Sequence, residues 1–281
     1  MIEIVRRLNG QRATSESGSA QDLLERLVVE TVAANYRHFS HELLVRAREL
    51  ERDNADPRDA RYWCDPPLFH RERQLSALVG HAFSTICPVS DVEYGVARTH
   101  GGASYKGRVD YFGLFMHRAT ALELKMTTVA INAKSELRKV KGRWKEVDEQ
   151  AKNALAYMKD PKHQKLTYPD PMSVALLVVR LHRGKWSGRR LSKKDSEMLG
   201  GDERQEQLRS ARQKFTNSAE EDVRNAANLL RKACKARFVA TYVPPLEMRE
   251  YAGQDDEDDL FRIVSGVVFL ASPRVNVSSR E

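Results

Sequence analysis

The residues best suited to chemistry lie in two short segments, 107–112 and 121–126, and both segments have the pattern of a β-strand. Side chains two positions apart on a strand face the same side, so Glu123 and Lys125 point together while the apolar residues that alternate with them face a core. Asp110 lies on the preceding strand. The sequence therefore predicts a site in which carboxylates from adjacent strands meet a lysine.

The register between these strands decides whether Asp110 meets Glu123. A tight turn near residues 117–120, centred on residue 118, predicts that Asp110 lies opposite residues 125–127. A bulge or an offset turn would instead bring Asp110 next to Glu123. Both registers are compatible with the sequence.

Two carboxylates on adjacent strands need a counter-charge, because they repel each other when both are ionised. Mg²⁺ meets this need, since it binds one or two carboxylates together with water and phosphate oxygens, and we expect Mn²⁺ to substitute for it. Such an ion acidifies a bound water and neutralises charge on a scissile phosphate, and Lys125 would orient the water or stabilise that charge. The alternative is an exposed Asp110 beside an ordinary Glu123–Lys125 surface pair.

Two further residues belong to the candidate site. Glu72 falls on the apolar side of a helix predicted over 68–86, where an acid needs a metal or a basic partner. The alternative is a first-turn acid favoured by the helix dipole. Gln150 adjoins the apolar face of a helix predicted over 143–158, where it could hold a phosphate or a metal-bound water; the alternative is a solvated glutamine.

The charge distribution indicates a polyanionic partner. The chain of 281 residues has a formal net charge of +8, and residues 183–237 hold 15 lysines and arginines against 8 acidic residues. Clustered positive charge attracts nucleic acid through counterion release, although solvated helix faces have the same composition. The residues predicted to contact nucleic acid are Lys106, Arg108, Lys134, Arg138, Lys139, Lys141, Arg143, Arg189 and Arg190.

The hydrophobic periodicity predicts a mixed α/β fold. An N-terminal helical region, 1–65, precedes a second domain, 66–281, which includes a basic helical insert at about 184–237. In order, the predicted elements of the second domain are a helix at 68–86, strands at 92–98, 108–118 and 120–126, a helix at 143–158, a strand buried on both faces at 173–181, the insert, and strands at 238–242 and 261–270.

The composition favours a cytoplasmic location. The longest apolar runs are far shorter than the ~20 residues of a membrane span, and the first residues lack the apolar core of a secretory signal. Three widely spaced cysteines predict neither a disulfide framework nor a thiolate zinc site. We therefore expect no membrane partner.

The order of these features over residues 68–182 resembles the PD-(D/E)XK, or restriction-endonuclease-like, nuclease superfamily. Val109 stands where the motif has proline, and Ala154 stands where RecB-like members have a tyrosine. The resemblance implies a restriction-endonuclease-like mixed central sheet flanked by helices. It also implies roles for the candidate residues: Asp110, Glu123 and Glu72 as metal ligands, Lys125 as the catalytic lysine and Gln150 as the downstream glutamine.

The same resemblance implies Mg²⁺-dependent hydrolysis of DNA phosphodiester bonds, with double-stranded DNA as the expected substrate. The expected setting is bacterial restriction, anti-phage defence or repair. Cutting both strands favours a homodimer, and an ATPase or helicase subunit is a further partner that we consider. The alternatives are a catalytically inactive nuclease-fold subunit that binds DNA or assembles a defence complex, and an RNA-directed nuclease, since phosphate contacts do not distinguish the two polymers.

Overall fold

The computed structural model describes residues 2–5, 15–57, 60, 64, 66–69, 72–100, 103–130, 136–160, 170–182, 219–245, 250–252 and 261–275. The predicted nucleic-acid contacts Lys134, Arg189 and Arg190 and the first part of the basic insert lie outside these residues. The elements are β1 (Ile2–Val5), α1 (Ser15–Arg52), α2 (Glu72–Ile86), β2 (Ser90–His100), β3 (Ala103–Phe115), β4 (Arg118–Ala130), α3 (Leu137–Lys159), β5 (Met172–His182), α4 (219–234), β6 (Phe238–Tyr242), β7 (Glu250–Ala252) and β8 (Phe261–Val275).

One mixed sheet organises the described chain. Its strand order is β1–β6–β8–β5–β4–β3–β2, and β7 pairs with the first residues of β8. β4 and β5 are parallel, and the other neighbours are antiparallel. Parallel neighbours need a crossover connection, which α3 supplies between β4 and β5. The prediction of a mixed α/β fold is confirmed.

Helices cover both faces of the sheet. Leu122, Leu124 and Met126 of β4 belong to a core that also contains the buried side chains of α1 and α2. The other face packs against α3 and α4, and its core includes Ala175 and Leu177 of β5. Successive residues of β5 therefore enter different cores, which confirms the predicted strand buried on both faces.

The structure corrects several predicted boundaries. The hydrophobic periodicity of the first 51 residues predicts two helices, the second at about 41–51, but the structure has one continuous helix, α1, because neither Gly nor Pro separates the two patterns and Phe39 between them is buried. The turn between β3 and β4 is not at 117–120. It consists of Met116 and His117, whose φ values of 47° and 66° suit a two-residue hairpin turn.

Cys64, Cys87 and Cys234 are buried, and none of the three is in a disulfide. Burial raises the pKa of the Cys87 thiol to about 12 and that of Cys234 to about 11, so neither supplies a thiolate near neutral pH. In the part of the chain that the structure describes, no helix is both long enough and apolar enough to cross a bilayer.

Candidate active site

β3 and β4 separate at Asp110. Their ladder runs from the turn to the pair Tyr111↔Leu122, and one further step in this register places Asp110 opposite Glu123. The expected register opposite residues 125–127 is wrong, because the turn is centred between Met116 and His117 and not on residue 118. The offset-turn alternative is the one that the structure adopts.

Beyond Leu122, β3 no longer pairs with β4, and two carboxylates accept hydrogen bonds from the backbone N–H groups along this edge of β4. The backbone N–H of Leu124 donates to Asp110 Oδ2 at 2.7 Å, and the N–H of Met126 donates to Glu72 Oε2 at 3.3 Å. Backbone N–H groups need acceptors where a ladder ends, and these acids supply them. Asp110 therefore lies at the peptide bond that joins Glu123 to Leu124. Glu72 lies two residues further along β4, at the N–H of Met126.

Glu123 and Lys125 have different environments on the opposite face of β4 from Leu124. Glu123 is only 1% exposed, so it is not part of an exposed surface pair. Lys125 Nζ lies 3.5 Å from Glu72 Oε1, and the lysine and glutamate side chains are 21% and 43% exposed. The site is thus open to solvent at Lys125 and Glu72 and closed at Glu123.

Glu72 combines the two predicted interpretations. It is the first residue of α2, where the helix dipole favours an acid, and it also has the basic partner expected for an acid on the apolar side. The helix starts here and not at residue 68, because a separate 3-10 turn covers Pro67–Phe69. Both oxygens of Glu72 are engaged, one by Lys125 and one by the Met126 N–H.

Gln150 carries a buried amide oxygen. Its Oε1 has no hydrogen-bond partner among the described residues, which is not the environment of a solvated glutamine. Ala154, one turn further along α3, shares a buried cluster with Ala121 of β4. Because α3 runs back against β4 to reach β5, the turn that carries Gln150 lies at about the level of Glu123.

Tyr111 is a site neighbour that the sequence analysis missed. Its hydroxyl donates to the main-chain oxygen of Ser76 at 2.6 Å and lies 2.5 Å from Ser76 Oγ. The pKa of Tyr111 is raised to about 12, chiefly by burial; the hydrogen bond with the Ser76 side chain lowers it, and the charges of Asp110 and Glu72 contribute to the rise. The only sequence signal was its position beside Asp110.

The pKa of Tyr111 predicts a pH dependence of stability. A folded pKa of about 12 against the ordinary 10.0 favours the neutral phenol in the folded state. This stabilisation is fully present below pH 10 and is lost as the pH rises toward 12. In urea titrations at pH 9 and pH 11, the destabilisation caused by Tyr111→Phe should be smaller at pH 11 by about 1 kcal/mol. Equal destabilisation at both values would contradict the assignment.

Four predicted nucleic-acid contacts form an exposed basic cluster at the start of α3. The Nζ of one of them, Lys139, donates to the Thr128 carbonyl oxygen at 3.0 Å, so the cluster begins where β4 ends, roughly 10 Å along the strand from Lys125. Its members are Arg138, Lys139, Lys141 and Arg143.

The other two predicted contacts that fall within the described residues lie on β3. Arg108 is exposed and forms an ion pair with Glu93 across the β2–β3 hairpin. Lys106 lies on the same strand, two positions before Arg108. The backbone of Glu93 has a φ of 58°, which is uncommon for a residue with a side chain, and Glu93 occupies the position opposite Asp110 in the β2–β3 register.

The acids of the site do not form a preformed three-ligand cluster. Among the residues that the structure describes, no three His, Cys, Asp or Glu side chains gather closely enough to hold a metal ion. Asp110, Glu72 and Glu123 all flank residues 123–126 of β4, but Glu72 is engaged by Lys125.

No family model, curated protein or solved structure matches this chain.

Proposed function

We propose that the protein is a metal-dependent nuclease that hydrolyses DNA phosphodiester bonds at the fork between β3 and β4. The observation that carries the proposal is the pair of carboxylates, Asp110 and Glu72, on the edge of β4 that β3 leaves unpaired, beside Glu123 and Lys125. Support also comes from the order α2–β2–β3–β4–α3–β5, which is the order of elements on which the resemblance to the PD-(D/E)XK superfamily was based.

The donor groups suit Mg²⁺. This ion prefers oxygen ligands and commonly uses only one or two protein carboxylates, so Asp110 and Glu123 suffice without a third acid. The unpartnered Oε1 of Gln150 is a further oxygen at the level of Glu123, available to accept a hydrogen bond from water. When bound, Mg²⁺ supplies Lewis acidity toward a phosphate and lowers the pKa of water.

The chain's own residues then have distinct tasks. Lys125, held by Glu72 at the open side of the site, stabilises the negative charge that grows on the phosphate as it is attacked. The basic cluster of α3 binds the phosphates of the flanking nucleotides, because its exposed cations continue from the end of β4. Glu123, buried under the fork, is shielded from bulk water, so its electrostatic interactions are stronger than at the surface.

The proposal is tested with supercoiled plasmid, linear duplex DNA and single-stranded RNA. With Mg²⁺ or Mn²⁺ we expect nicked and linear plasmid products, and with EDTA we expect none. Cleavage of RNA but not of DNA would redirect the proposal to an RNA-directed nuclease. No cleavage of any polymer with either ion, at enzyme concentrations equal to substrate, would contradict it.

The second candidate is a catalytically inactive subunit that binds DNA through the same surface. The absence of a three-ligand group among the described residues and the engagement of both Glu72 oxygens favour it. It predicts salt-dependent DNA binding without turnover. A restriction, anti-phage or repair setting and an ATPase or helicase partner remain part of the proposal in either case, whereas the homodimer follows from cutting both strands and belongs to the nuclease proposal alone.

A further inference from the structure

Tyr111 makes a two-point contact with α2 that connects the two edge carboxylates. The hydroxyl has one proton, which it donates to the Ser76 carbonyl oxygen at 2.6 Å, so the 2.5 Å contact is donated by Ser76 Oγ to the tyrosine oxygen. Tyr111 is 1% exposed, so neither hydrogen bond competes with bulk water.

Each end of the contact is close in the chain to one of the two carboxylates. Asp110 precedes Tyr111 on β3, and Glu72 lies four residues before Ser76, on the same face of α2. The approach is close, because a Cβ added at Gly80, a further turn along, would lie 3.0 Å from Tyr111 Cε1. The charges of both acids act on the tyrosine hydroxyl, which places them within electrostatic reach of it.

We propose that Tyr111 is a positioning residue that, through Ser76, holds Asp110 and Glu72 in place against the N–H groups of Leu124 and Met126. Without the hydroxyl, β3 and α2 lose the hydrogen bonds that couple them at the fork, and each carboxylate can leave the edge of β4. The geometric part of this inference is independent of the proposed nuclease function, and only its consequence for cleavage rests on that function.

Tyr111→Phe tests the inference, because it keeps the ring and removes only the hydroxyl. Amide hydrogen exchange followed by NMR should become at least about tenfold faster at Leu124 and Met126 relative to the amides in the middle of β5, which report global unfolding. Mg²⁺-dependent cleavage should lose at least about tenfold in kcat with little change in KM, since the reacting groups and not the DNA contacts are displaced.

Phe83→Leu is the matched control. The Phe83 ring packs against Tyr111 with centroids 5.9 Å apart and carries no hydroxyl, so this variant reduces the packing around Tyr111 while keeping both hydrogen bonds to Ser76. It should destabilise the protein without accelerating exchange selectively at Leu124 and Met126. Ser76→Ala, which keeps the main-chain acceptor, should show an intermediate effect.

The outcomes separate the two proposals. Unchanged relative exchange at both amides in Tyr111→Phe, or the same selective acceleration in Phe83→Leu, would overturn the positioning role whatever happens to cleavage. Accelerated exchange in a protein whose wild type never cleaves nucleic acid would support the positioning role and overturn the nuclease proposal.

Discussion

Replacing Lys125 with methionine should reduce Mg²⁺-dependent DNA cleavage by about 10²–10³-fold, the effect of removing one group that stabilises charge in a transition state. Methionine keeps most of the length of the lysine side chain but has no positive charge. In the wild type that charge, on Lys125 Nζ, lies 3.5 Å from Glu72 Oε1. Single-turnover cleavage of a fluorescently labelled duplex measures the rate. Affinity for the same duplex, measured by anisotropy without divalent cation, should change by less than about threefold, because the basic cluster of α3 is intact.

Glu123→Gln should cause a loss of at least the same size. The side chain is 1% exposed, and glutamine fills the same volume while removing the negative charge expected to bind the ion. The control for both variants is Lys152→Met on α3, where the lysine is 55% exposed and pairs with Asp148. The nuclease assignment would be wrong if Lys125→Met or Glu123→Gln cleaved DNA at the rate of the Lys152→Met control.

The largest effect on stability is expected from Gly266→Ala on β8. A Cβ at this position would lie 2.7 Å from Val223 Cγ2 of α4 and 2.8 Å from the carbonyl oxygen of Tyr242. The valine can rotate, but the carbonyl oxygen belongs to the backbone of β6, which neighbours β8 in the sheet, so the strand or the helix must move. We expect a loss of about 1–3 kcal/mol in the free energy of unfolding, toward the upper end, from urea denaturation followed by circular dichroism.

Gly95→Ala provides the comparison for that experiment. Gly95 also lies in a strand, β2, but an added Cβ would meet nothing within 4 Å, and neither glycine has the positive φ that strains other residues. Alanine at residue 95 should therefore be neutral or slightly stabilising, since it lowers the entropy of the unfolded chain. Equal destabilisation by the two substitutions would mean that close packing is not the reason for glycine at residue 266.

The sequence was sufficient for features that depend on local periodicity. The alternation along residues 121–126 correctly placed Glu123 and Lys125 on the opposite face from Leu124, and the nearly continuous apolar run at 173–181 correctly indicated a strand buried on both faces. These patterns can be read from one segment alone, because side chains of a strand alternate between its two faces regardless of which strands it pairs with. The mixed α/β class followed from the order of such segments.

The tertiary structure decided everything that depends on pairing between distant segments. The two-residue turn at Met116 and His117 set the register that brings Asp110 opposite Glu123, and two positive φ values at non-glycine residues gave the sequence analysis no signal. The ion pair of Lys125 with Glu72 and the contact of Tyr111 with Ser76 join residues 53 and 35 positions apart. Such contacts form only when α2 packs on the sheet, so side-chain chemistry was readable from the sequence while the partners of each group were set by long-range packing.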